Sequence, residues 1–309
     1  MPSHFADRLL DAISKKGSPI CIGIDPIFDM LPDAVFPSSS KRDPADLDTS
    51  IDAIFDFTAR VLKIVAPLVA CVKFQSAYFE KYLWDGVRAY YELIHEAKEL
   101  GLIVLGDVKR GDIGSTSEAY AAAHLADQTF GELEDAETPD AITINAMLGL
   151  DSIQPFIDTA REYSKGLFVL VRTSNPGSAT TQDVKLADGR TWSEMLAENL
   201  QPLAAQMIGA SGWSSLGAVV GATQTATMSS LRQRLPNSIF LLPGYGTQGA
   251  TGEMTRAAFR DGKGAIVSAS RSILYAHRDA KYASLAASGW EKCVEQAVQD
   301  MRADLQKIL

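Results

Sequence analysis

Residues 1–309 predict a single-domain α/β fold, a (β/α)8 TIM barrel with an N-terminal helix and extended βα loops. Three observations carry this. Eight short runs are apolar throughout instead of alternating, as parallel strands buried on both faces are. A helix-length amphipathic segment follows most of them. No linker divides the chain, and the rival doubly wound sheet wants a Gly-rich turn after its first strand, where Gly23 and Asp25 are followed by Pro26.

The N-terminal MPSHFADRLLDAISKKG mixes acids with its apolar residues and reads as an amphipathic helix, not a signal peptide. Strand 1 is PICIGI (19–24), followed by a long Pro/Ser-rich loop over 31–46. Pro67 stops the next helical pattern ahead of strand 2, VACVKF (69–74). The segment 75–100 reads as two helical pieces meeting near Trp84-Asp85-Gly86. Strand 3 is LIVLGDV (102–108), and Ser115 with Glu118 fits a capping box after it. Strands 4 and 5 are AITINA (141–146) and LFVLVRT (167–173). In the second long loop, 174–192, Asp188-Gly189 can turn a small hairpin, and Thr191 with Glu194 makes another capping box. Strand 6, LGAVVGA (216–222), leads to a helical pattern ended by Pro236. Strands 7 and 8 are IFLLPG (239–244) and AIVSAS (265–270), and a long amphipathic helix over about 281–308 closes the chain.

The chain is 46% hydrophobic with a net charge of -9, which argues against nucleic-acid binding; an anionic ligand would need a locally positive site. No apolar run approaches the roughly 20 residues that span a bilayer. Cys21, Cys71 and Cys293 are few and odd in number, which suits free thiols and a cytoplasmic location. His4, His95, His124 and His277 are scattered without metal-ligand spacing.

In such barrels chemistry gathers where strands exit. Those exits present Asp25, then Lys73 and Gln75, then Asp107 and Lys109 with Asp112 just beyond, then Asn145, then Arg172, Thr173 and Ser174. Alternation puts Asp107 and Lys109 on one side of their strand, where Lys73 can join them. A structural ion network is the bland explanation, but alternating charges gathered at a mouth point to a ligand. The strand 7 loop, Pro243 to Gly249, has glycines that let backbone N–H groups approach an anion. Gln248 can donate a hydrogen bond there, and Arg271 supplies a charged fork from the next strand. A phosphate-bearing ligand would then lie across the mouth, its tail at strands 7 and 8 and its reacting centre over strands 2 and 3. Lys73 and Lys109 offset the carboxylates, which leaves little charge for a divalent cation, and no flavin or nicotinamide signature is present, so no cofactor is expected.

The D-x-K-x-x-D-I-x-x-T pattern of Asp107, Lys109, Asp112, Ile113 and Thr116, with Lys73 ahead of it, resembles orotidine 5′-phosphate decarboxylase. The words IGIDP, VKFQSAYFE, RTSNPG, LPGYGTQG and SASRSI are similar to its longer bacterial branch, type 2. The resemblance implies decarboxylation of orotidine 5′-monophosphate (OMP) to uridine 5′-monophosphate (UMP), without metal or cofactor. It makes Lys109 the proton donor to C6 and sets Asp107 beside the departing carboxylate. Lys73 would bond Asp107 and the ribose. Asp112 of the partner subunit, with Ile113 and Thr116 alongside it, would complete the array in a homodimer. Asp25 would hold a ribose hydroxyl, Thr173 would lie near the pyrimidine or the lid, and Gln248 and Arg271 would grip the phosphate. Gln75, Asn145 and Pro243 complete the substrate-binding set, and loops 174–192 and 244–252 are the lid candidates. Losing CO2 from C6 leaves a carbanion with no adjacent carbonyl, so a cation held by flanking acids must meet the charge and then deliver a proton. Three alternatives stay open: a Mg2+-dependent sugar-phosphate decarboxylase or aldolase of the same superfamily, a lysine Schiff-base aldolase, and a non-enzymatic phosphate-binding protein.

Overall fold

Eight parallel strands pair in chain order and close on themselves, β1 returning to β8. They are β1 (Ile20–Ile24), β2 (Cys71–Gln75), β3 (Ile103–Arg110), β4 (Ala141–Ile144), β5 (Gly166–Arg172), β6 (Ser214–Val220), β7 (Ser238–Pro243) and β8 (Ala265–Ala269). The structure, a computed structural model, describes residues 4–36, 42–127, 137–247 and 249–309. Each strand lies on one of the eight apolar runs.

The runs do not alternate because both strand faces are covered. One face packs under the helices, with Ile22, Val72, Val104, Ile142, Val169 and Val267 fully buried. The other fills the barrel, where Cys21, Cys71, Leu105, Ala141, Phe168, Leu241 and Ile266 form a second cluster. Helix α1 (Phe5–Lys16) adds Phe5, Ala6 and Leu9 to that inner cluster and plugs the strand-start end; Phe5 meets Phe168 edge-on at 6.1 Å. Two residues further along the same inward face come Lys73, Asp107, Thr143, Pro243 and Ser268. The alternation that builds the apolar plug thus delivers polar groups to the opposite mouth.

The outer layer contains α2 (Leu47–Val65), α3 (Ala77–Glu80), α4 (Leu83–Glu99), α5 (Gly114–Leu125), α6 (Gln154–Glu162), α7 (Ala179–Gln182), α8 (Trp192–Ala205), α9 (Thr225–Arg234), α10 (Gly252–Thr255), α11 (Arg271–Leu274), α12 (Ala283–Ala286) and α13 (Trp290–Leu305). Helix α2 stops before Pro67 and α9 before Pro236, as expected.

Some expectations are corrected. The break after β2 falls at Lys81-Tyr82, where Leu83 turns with φ +56. Gly86 instead lies inside α4, where a Cβ would come 2.0 Å from the Phe79 carbonyl oxygen. The capping box of Ser115 and Glu118 does not form, because α5 already begins at Gly114 with Ile113 as its cap residue. The last helix begins only at Trp290, since Gly289, with φ +115, turns the chain between it and α12. The Thr191–Glu194 box is present, with Glu194 N donating to Thr191 Oγ1 at 3.2 Å and Thr191 N to Glu194 Oε2 at 2.9 Å. Asp188-Gly189 turns a hairpin closed by a bridge between Lys185 and Thr191. Part of loop 31–46, residues 37–41, lies outside the described residues. All three cysteines are buried and free. Among the described residues no helix is long and apolar enough to cross a membrane.

Candidate active site

At the mouth, regular strand geometry is interrupted where charge is densest. The β3–β4 register shifts between Gly106 and Arg110, and the β5–β6 register between Leu170 and Arg172. Lys109 falls in the first irregularity with φ +47, a left-handed conformation costing an L-residue roughly 1–2 kcal/mol. Its N–H donates to Thr143 Oγ1 at 3.0 Å, which fixes the kink. Its side chain folds back so that Nζ lies 2.6 Å from Asp107 Oδ1. Strain of this kind is kept where neighbours over-determine it, as at functional sites.

Asp107 is the hub. Its Oδ2 accepts from Lys73 Nζ at 2.6 Å and Gln75 Nε2 at 3.1 Å, and its Oδ1 from Lys109 Nζ at 2.6 Å and Thr143 Oγ1 at 2.9 Å. Both oxygens of a buried carboxylate are therefore satisfied, each by one ammonium and one neutral donor. Burial by itself would raise the Asp107 carboxyl; Lys73 and Lys109 override it and hold the group well below the ordinary carboxylate range. For Lys73, burial pulls the ammonium down, but Asp107 and Asp25 more than compensate and leave it above its ordinary value. At neutral pH both groups are charged.

Beside this array is a cavity of about 210 Å3. Asp25, Lys73, Gln75 and Asp107 line one side, and Pro243, Tyr245, Thr247 and Arg271 the other. Asp25 Oδ1 and Ser270 Oγ are buried here without a hydrogen-bond partner among the described residues, as groups awaiting a polar ligand are. A larger cavity, about 670 Å3, lies at the strand-start end between α1 and Leu309. Its Asp7 is already satisfied by the N–H groups of Ala210 and Ser211, so charge convergence marks the smaller cavity as the candidate site. Among the described residues no group of three His, Cys, Asp or Glu side chains is arranged to hold a metal.

Most of the other expected residues do not line this cavity. Asp112 Oδ1 accepts from Ile113 N at 2.8 Å, and no contact joins it to Lys109 within the chain among the described residues. Ile113 is 59% exposed, and Thr116 is also exposed. Asn145 is not among the residues lining the cleft, and its Oδ1 accepts from Met147 N at 2.9 Å. Gln75 lines the cleft, but its amide is engaged with Asp107. Thr173 is bound within its own loop by Gln182, whose Oε1 accepts from Thr173 N at 2.8 Å. Arg172 is buried against the same loop and pairs in bidentate fashion with Asp183 at 2.8 Å. Gln248 lies outside the described residues. Thr143 and Tyr245 are additions. Thr143 could have been found by counting two residues along the inward face from Ala141; Tyr245 carries no such signal.

The sequence profile of the orotidine 5′-phosphate decarboxylase / HUMPS family matches residues 19–286. The orotidine 5′-phosphate decarboxylase of Rhodopirellula baltica is 39% identical over 97% of this chain and 98% of its own. That of Caldicellulosiruptor saccharolyticus is 38% identical over 89% of this chain and 91% of its own. A crystal structure from Streptomyces avermitilis superposes with a TM-score of 0.77 at 30% identity, covering 99% of this chain and 96% of that one. The Leishmania donovani OMP decarboxylase structure gives 0.71 at 26% identity, covering 99% and 98%.

Proposed function

The chain belongs to the orotidine 5′-phosphate decarboxylase family and is a carboxy-lyase converting OMP to UMP in pyrimidine biosynthesis, and on that premise we propose how its residues perform the reaction. The phosphate lies between the β7 loop and Arg271, the ribose hydroxyls at Asp25 and Lys73, and C6 of the pyrimidine at Lys109. The C6–carboxylate bond breaks with its electron pair remaining on C6, and CO2 leaves beside Asp107. Lys109 Nζ stabilises the developing charge and gives C6 a proton; the amine then regains one from solvent. Phosphate contacts far from C6 provide binding energy that orients the ring over the array.

One observation carries this reading: Asp107 is held 2.6 Å from both Lys73 Nζ and Lys109 Nζ at the cleft. A Schiff-base lysine works as a free amine, which a carboxylate at hydrogen-bond distance disfavours. The Mg2+-dependent sugar-phosphate alternative is not favoured, because relatives matching nearly the whole chain are named orotidine 5′-phosphate decarboxylases. Activity abolished by EDTA and restored by Mg2+ would revive it.

The functional unit is a cytoplasmic homodimer of single-domain barrels in which Asp112 of the partner subunit completes the array. Support comes from uncovered apolar side chains just beyond β3 and β4: Ile113 at 59%, Met147 at 64% and Leu148 at 56% exposure. Turnover of OMP, followed by loss of its ultraviolet absorbance in the wild type and in Lys109→Ala, tests the reaction and the donor together.

A further inference from the structure

Asp304 stands on α13, outside the cleft, yet it is bonded to both ends of the loop that forms one wall of it. Its Oδ2 accepts from Tyr245 Oη at 2.9 Å and from Gly252 N at 2.8 Å. Tyr245 follows β7 almost directly and lines the cleft, whereas Gly252 opens α10 at the far end of the loop. A Cβ there would come 2.9 Å from the same carboxylate oxygen, so a larger residue would push the carboxylate aside. Between the two ends the loop is pinched, with Gly246 N donating to Ala250 O at 3.0 Å and Gly249 N to Gly246 O at 2.8 Å.

A loop this rich in glycine has little intrinsic preference for one path. The contact that joins its two ends comes from a residue 52 to 59 positions away in sequence. Burial would raise the Asp304 carboxyl, but the Gly252 N–H and the Tyr245 hydroxyl keep it below its ordinary range, so it accepts as a full anion. Its remaining side-chain contact, to Lys307, is long at 3.4 Å.

We propose that Asp304 is a positioning residue for phosphate recognition: from outside the site it staples both ends of loop 244–252 into the shape that receives the 5′-phosphate. The inference rests on the reading of the β7–β8 wall as the phosphate site. The test is the ratio of UMP to uridine affinity, measured by calorimetry on the full chain, because a general loss of folding would weaken both ligands alike. In Asp304→Ala, UMP is expected to bind roughly tenfold more weakly and uridine within about twofold of wild type. Asp304→Asn keeps an oxygen able to accept from both donors and is expected to recover most of the UMP affinity. Tyr245→Phe removes one of the two bonds without touching α13, and so reports even if Asp304→Ala does not fold. Equal weakening of UMP and uridine, or unchanged UMP affinity in a folded variant, overturns the inference. If the wild type itself does not prefer UMP to uridine, the phosphate-site reading fails and takes the inference with it.

Discussion

Replacing Lys109 with alanine removes one of two ammonium groups from Asp107 and leaves Lys73, Gln75 and Thr143 bonded to it. Asp107 stays paired, so no buried charge is stranded. The lost pair involves a side chain 45% exposed, which limits the folding cost to about 1 kcal/mol or less. The catalytic cost is far larger. A donor aimed at developing charge is worth roughly 10²–10³ in rate, and a positioned general acid roughly 10²–10⁴. The two overlap in one group, so kcat/KM is expected to fall by about 10⁴ or more, on the order of 5.4 kcal/mol. A companion variant isolates the backbone. At φ +47 an alanine keeps the left-handed penalty of roughly 1–2 kcal/mol, while glycine escapes it at an entropic cost of roughly 0.5–1 kcal/mol. Lys109→Gly should therefore be about 0.5–1 kcal/mol more stable than Lys109→Ala and equally inactive. Ultraviolet turnover of OMP and thermal unfolding read the two effects. A rate loss under about tenfold in folded Lys109→Ala refutes the proton-donor role. Lys109→Gly melting below Lys109→Ala would refute the strain argument.

Other consequences are open to simple assays. Mixing inactive Lys109→Ala and Asp112→Ala chains should restore roughly a quarter of wild-type activity, since one site of each mixed dimer has both native residues; no restoration after subunit exchange removes the shared site. Arg271→Ala should raise KM for OMP by roughly tenfold or more while changing turnover of the phosphate-free nucleoside orotidine little; equal effects on both substrates would dismiss it as the phosphate grip. Stability should also fall with acid in two stages. Buried His124, close to Arg110, is depressed from 6.5 to about 4, so its contribution is complete above pH 6.5 and is lost as pH falls toward 4. It is worth up to about 3 kcal/mol across that window. Asp107, depressed from its ordinary value of 3.8, adds a further loss below that pH. His124→Gln should flatten the decline in melting temperature between pH 6.5 and 4, and an unchanged slope would locate the titrating group elsewhere.

Much of what lines the candidate cleft is legible in the sequence. Unbroken apolar runs identify eight two-faced strands, and in a parallel barrel every strand exits at the same mouth. That rule alone collects Asp25, Lys73, Asp107, Lys109, Pro243 and Arg271, and period-two alternation aims Lys73 and Asp107 inward. These are properties of chain order and local geometry, which a sequence carries directly. It does not carry which polar group meets which. Thr143 reaches Asp107, Gln75 supports the array, Asn145 turns to cap Met147, and Arg172 leaves the mouth to hold Asp183. The first two depend on the level at which neighbouring strands come into register, which is set only when the barrel closes, and the last two on the path each loop takes beyond its strand. The left-handed turn at Lys109 and the reach of Asp304 to Tyr245 belong to the same class. Hydrogen bonds demand agreement within a few tenths of an ångström between segments far apart in the chain, and only the packed structure brings them to that distance.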